Sequence, residues 1–155
     1  MEKSNIGGLL TTMRTIYGAL LIGLLSAAFF LFPEMKSYDV NFEEGDFLAY
    51  IIPAALFAAI FLGEFLFKRT IAEVKDQKDL TKKFTAYQTG MLLRLAPVEG
   101  VAFFSIFQLQ ENSNAIFLYA AGAAILYLIY LFPSKARISK ELRLSEADKR
   151  LLNNA

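Results

Sequence analysis

Apolar residues along this chain fall into four long runs separated by short polar connections. The runs are "TTMRTIYGALLIGLLSAAFFLF", "FLAYIIPAALFAAIFLGEFLF", "FTAYQTGMLLRLAPVEGVAFFSIFQLQ" and "NAIFLYAAGAAILYLIYLF", each 19 or more residues long. At ~1.5 Å of rise per residue, a helix of that length crosses a hydrocarbon core of ~30 Å. The pattern predicts an all-α integral membrane protein, a four-transmembrane-helix antiparallel bundle with spans at about 12–32, 47–67, 85–108 and 114–132. Residues 1–133 form the expected transmembrane domain, and 134–155 a basic tail with a short helix. The first run is apolar from Ile16 to Phe32, longer than the ~7–15 residues of a signal-peptide core, and no small-x-small cleavage site follows it. It is expected to remain in the mature protein.

Two of the polar connections carry their own signals. "TIAEVKDQKDLTKKF" has no Gly or Pro and pairs Glu73 with Lys75 and Lys78, which predicts that the flanking helices run on past the bilayer as a hairpin. In the tail, Ser145 precedes Asp148 by three residues, a weak capping-box spacing that starts a short helix.

Charge orients the bundle. Lys and Arg number six between Lys68 and Lys83 and six after Pro133, against one between Pro33 and Asp46 and none between Glu111 and Asn114. Short loops rich in Lys and Arg stay on the cytoplasmic side, so both the N and the C termini are expected to be cytoplasmic. The first outer loop gathers Glu34, Asp39, Glu43, Glu44 and Asp46 around Lys36. It reads as a solvated acidic loop, with a cation-attracting vestibule as the alternative; it lacks the ligand alternation and central glycine of a calcium loop. The basic tail is ordinary positive-inside retention, with attraction to anionic headgroups as a second reading. Nucleic acid is not an expected partner, because Glu and Asp are mixed among the basic residues and no aromatics interleave them.

Composition narrows the chemistry further. The chain is 155 residues long and 55% hydrophobic, with no Cys and no His. Thiol redox pairs, iron–sulfur ligation and thioether haem attachment are thereby excluded, as are histidine-ligated metals and a histidine general base. No cofactor and no metal is expected, and no nucleophile and base pair is recognisable that would mark an enzyme.

The remaining candidates lie in "MLLRLAPVEG", Met91 to Gly100, where a cation, a helix breaker and an anion fall within six residues of an apolar run. Glu64, Arg94 and Glu99 form the candidate intramembrane charge network. A charge at the bilayer centre costs ~2.5–3.5 kcal/mol on insertion scales unless it finds a partner or water, so Arg94 and Glu99 should face the bundle interior. Helical side chains lean toward their N-terminus, which brings Arg94 toward the depth of Glu64 and predicts an ion pair between the second and third spans. Five residues separate Arg94 from Glu99, about 140° on a straight helix, so the two point to different sides; Pro97 between them is the candidate kink. Hydroxyl partners for Glu99 at similar depth are Tyr17, Tyr50, Tyr119 and Tyr127. Gly90, Gly100 and Gly122 are the candidate close-packing positions.

The two halves show no internal duplication. In outline the chain is similar to the doubled proteolipid subunits of rotary ATPases and to small multidrug transporters, but it lacks the fourth-span carboxylate of the first and the first-span glutamate of the second. The segment Tyr87 to Leu152, with Arg94, Glu99, Gly100, Pro133 and "LRLSEADKRLL", resembles a group of small four-span bacterial inner-membrane proteins with no assigned activity. That resemblance implies a multi-pass protein of a bacterial inner (cytoplasmic) membrane. The residues leave two functions open. In one, the protein is non-enzymatic and acts by assembly in the lipid bilayer, as a homo-oligomer or as an accessory subunit beside other membrane protein subunits. In the other, it is a small proton- or cation-linked transporter or channel, with Glu99 as the ion-binding acid and Arg94 with Glu64 as its gate.

Overall fold

The structure is a computed structural model that describes residues 2–31, 39–40, 42, 47–112 and 114–154. Among the described residues there are six helices and no strand: α1 (Glu2–Leu31), α2 (Phe47–Glu73), α3 (Leu80–Asn112), α4 (Ala115–Tyr130), α5 (Lys135–Glu141) and α6 (Glu146–Asn153). Glu34, Lys36, Glu43, Glu44 and Asp46 of the acidic loop lie outside the described residues, as does Phe32 at the end of the first expected span.

Local sequence accounts for the helix ends. α2 continues beyond its apolar stretch to Glu73, and a short turn leads to Asp79, whose carboxylate accepts from the backbone N–H of Thr81 at 2.9 Å and of Lys82 at 3.3 Å. These are two of the donors that the first turn of a helix leaves without an internal partner. Asn114 caps α4 by accepting from Ile116 N–H at 3.1 Å. Pro133 cannot continue α4, and Ser134 opens α5 by accepting from Arg137 N–H at 3.2 Å. The axes of α4 and α5 differ by 84°. α5 closes with Leu144 N–H on Ser139 O at 3.1 Å and Arg143 N–H on Lys140 O at 3.3 Å, a Schellman arrangement. The left-handed residue it requires is Arg143, at φ 48°, where glycine is the usual occupant. Ser145 caps α6 on the N–H of Asp148 at 3.2 Å.

α3 is the centre of the molecule, packed against α1, α2 and α4. Phe67 of α2, Phe84 and Tyr87 of α3 and Leu128 of α4 share one apolar core with Met13 and Tyr17 of α1. Ile52, Leu109 and Phe117 form a smaller cluster where α2 begins, α3 ends and α4 begins. α2, α3 and α4 therefore run in alternating directions. Residues 134–155, read from the sequence as a tail beside the bundle, contribute Ile138, Leu142, Leu144 and Leu152 to the main core.

Three helices, α1, α2 and α3, are long and apolar enough to cross a membrane, or four if α4 with the sharply bent α5 counts as one span. Their outward faces are apolar as well: Phe29 is 78% exposed, and Phe57 and Phe61 are each 76% exposed. A water-facing surface does not carry unbroken rows of this kind, whereas lipid tails accept them without cost.

Candidate functional site

The site is built outward from Arg94, midway along α3 and only 8% exposed. Its position depends on the residue opposite. A Cβ on Gly63 of α2 would lie 2.6 Å from the carbonyl oxygen of Arg94, closer than real Cβ atoms come, so the two backbones meet at a point that only glycine allows. Glu64 follows Gly63 directly, and the close crossing carries its carboxylate to the guanidinium. Arg94 Nε donates to Glu64 Oε1 at 2.6 Å, and Nη2 is paired with the same oxygen. Gly90, one turn earlier on α3, seats Phe67 and Thr70 of α2, with a Cβ position 3.1 Å from the Phe67 ring.

The third nitrogen is bonded to a different helix. Arg94 Nη1 donates to Glu141 Oε1 at 3.1 Å, an acid delivered by α5 after the bend at Pro133. Two tyrosines add to the acids' hydrogen bonding: Tyr127 of α4 donates to Glu64 Oε1 at 2.7 Å, and Tyr87 of α3 to Glu141 Oε2 at 2.7 Å. Arg137, one turn before Glu141 on α5, lies 3.5 Å from Glu141 Oε1. Aromatic faces cover both cations, with Arg94 4.6 Å from the centre of the Phe67 ring and Arg137 4.4 Å from that of Tyr130.

The cluster thus holds two guanidiniums and two carboxylates, no net charge, contributed by α2, α3 and α5 and joined to α4 through Tyr127. A buried ion pair repays its desolvation only with good geometry and its remaining lone pairs satisfied; Glu141 is bonded through both of its oxygens, whereas all the bonds to Glu64 fall on Oε1. Arg14 is tied in nearby: its Nε donates to Pro133 O at 3.4 Å, which anchors α1 to the α4–α5 bend. Tyr17, beside Phe132, has a buried hydroxyl with no hydrogen-bond partner among the described residues.

No known protein family, characterised protein or solved structure matches this chain. The resemblance of the stretch Tyr87 to Leu152 to small four-span proteins therefore adds no assignment, and the geometry stands by itself.

Glu99 is not part of the network. It is half-buried on the outer side of α3 and makes no hydrogen bond or ion pair with any described residue. Of its expected hydroxyl partners, Tyr127 is committed to Glu64 and Tyr50 is 58% exposed. Pro97 sits inside α3, which runs through it as one helix. Gly100 and Gly122 have nothing within 4 Å of a Cβ position, so among the described residues neither brings two helices of this chain together. Gly63 does so instead, together with Gly90. Glu141, Tyr87 and Arg137 escaped the sequence reading. The signal for Glu141 is an acid in a basic tail eight residues after Pro133, followed by Leu142, which is buried.

Proposed function

We propose that this is a non-enzymatic, multi-pass protein of a bacterial inner membrane that acts by assembly. In this reading α4 is the fourth span, both termini lie in the cytoplasm, and the partner is a second copy of the chain or a helix of a larger complex. The observation that carries it is the uncovered face of α3. Buried positions such as Arg94, Val98, Ala102 and Ser105 mark its inner side. Ala96 and Gly100 lie on the outer side in small-x-x-x-small spacing, flanked by half-buried Glu99 and by Phe103 and Phe107, which are 40% and 50% exposed. A lone carboxyl facing lipid is costly, and small residues let a second helix approach closely enough to supply its missing partner. The position distribution of Lys and Arg supports the orientation.

The transporter reading shares Glu99 but finds less support. Its gate, Arg94 with Glu64, is braced further by Glu141 and Tyr127, and Glu99 belongs to no group of three or more acids among the described residues.

The deciding experiment is native mass in mild detergent for wild type, Gly100→Ile and Glu99→Gln. Gly100 has open space around it within the chain, so isoleucine there leaves the monomer's melting temperature unchanged and removes the larger species. A wild type that runs as a bare monomer, with nothing co-purifying, sinks the assembly reading. Proton or cation flux in liposomes that is lost in Glu99→Gln would install the transporter in its place.

A further inference from the structure

The end of α2 and the bent α5 enclose a cavity of about 710 Å³, within the ~300–1,000 Å³ of ordinary ligand pockets. Its composition is lopsided in two ways. Lys68, Lys75, Arg137, Lys140 and Arg143 line it, five cations, against two carboxylates, Glu64 and Glu141. Both carboxylates are already held by Arg94, so they leave little charge to offset the lysines. Lys68, Lys75, Lys140 and Arg143 form no ion pair with a described residue. The rest of the wall is apolar, with Phe67, Ile71, Tyr130 and Leu142 contributing.

Position along the helix matters equally. Phe67 is the last residue of the second apolar run and Lys68 the first cation after it, so the cavity straddles the level where hydrocarbon gives way to headgroups. The backbone supplies an independent observation. Arg143 occupies the left-handed position that ends α5, where glycine would sit without strain, and it is one of the residues that line the cavity. A strained arginine in a glycine's place is a reason to look for something that the side chain does.

We propose that this cavity binds the phosphate headgroup of an anionic phospholipid from the surrounding leaflet, with the lysines and Arg143 on the phosphate and the apolar wall along the upper acyl chain. An anion without a tail would leave that wall unused. A zwitterionic lipid would bring its own cation into a cluster of cations. The inference needs the chain to sit in a membrane but does not need it to oligomerise, so native mass and lipid retention can fail separately.

The test uses the full chain, delipidated in a neutral detergent and exposed in turn to phosphatidylglycerol, to phosphatidylcholine with the same acyl chains, and to inorganic phosphate. Bound lipid is counted by native mass spectrometry. Phosphatidylglycerol is expected to be retained at least tenfold better than phosphatidylcholine, and millimolar phosphate should not displace it. Lys140→Gln should weaken retention about fivefold, the equivalent of the ~1 kcal/mol that a basic residue contributes near an anionic surface. Arg143→Gly is the sharper variant, because it relieves the backbone while removing the cation: retention should fall by a similar factor with the melting temperature held or raised. Equal retention of the two lipids, displacement by free phosphate, or full retention in both variants would each overturn the proposal.

Discussion

Arg94 is the residue that joins the acids of α2 and α5, and its three nitrogens are all engaged by Glu64 and Glu141. Removing it leaves two half-buried acids with only tyrosine hydroxyls and Arg137 for company. Breaking one side of a buried pair costs ~3–5 kcal/mol, chiefly because the stranded charge has no solvent. Arg94→Ala is therefore expected to lower the melting temperature in detergent far more than Glu99→Gln, which removes no bond that the described residues make. Equal effects from the two variants would mean that the cluster is dispensable. The Arg94 to Glu64 pairing was legible in the sequence because both are charges inside apolar runs and the lean of helical side chains fixes their direction. Glu141 was not, because it lies among solvated charges and only the bend at Pro133 reveals where it points.

At the scale of elements, the α2–α3 crossing is set by Gly63. The shortest distance available to a Cβ there is 2.6 Å, to backbone that cannot swing aside, so a methyl group has to push the helices apart. Gly63→Ala is expected to cost ~1–3 kcal/mol, the range for overpacking, and to lengthen the Glu64 to Arg94 bond as well. Gly18→Ala, on α1 with nothing within 4 Å of its Cβ position, serves as the control, and thermal unfolding of the two in the same detergent reads the difference. Helix existence followed from apolar run length, and the hairpin between α2 and α3 followed from its lack of Gly and Pro. Which glycines touch a neighbour did not follow, since small-residue spacing marks every face on which close approach is allowed and says nothing of which face another helix occupies. Gly63 had only its place next to Glu64 to distinguish it.

For the molecule as a whole, the question is whether residues 134–155 are an appendage or part of the bundle. The sequence shows a basic segment beyond a proline, whose charge alone fits a solvated tail. Its apolar residues, Ile138, Leu142, Leu144 and Leu152, are too sparse to announce a core, yet all four are buried against the long helices. The segment also brings Glu141 to Arg94, so its loss would leave Arg94 with one carboxylate instead of two. Truncation after Pro133 is accordingly expected to destabilise the transmembrane helices themselves, by at least the effect of Glu141→Gln, and to make Glu64→Gln more damaging than in the full chain because Arg94 would then have no anion at all. Interacting groups show this departure from additivity, and independent ones do not. Melting temperatures of the four combinations of truncation and Glu64→Gln decide it: simple addition would return the last 22 residues to the status of a solvated tail, whereas coupling makes them the piece that closes the charge cluster from the membrane surface.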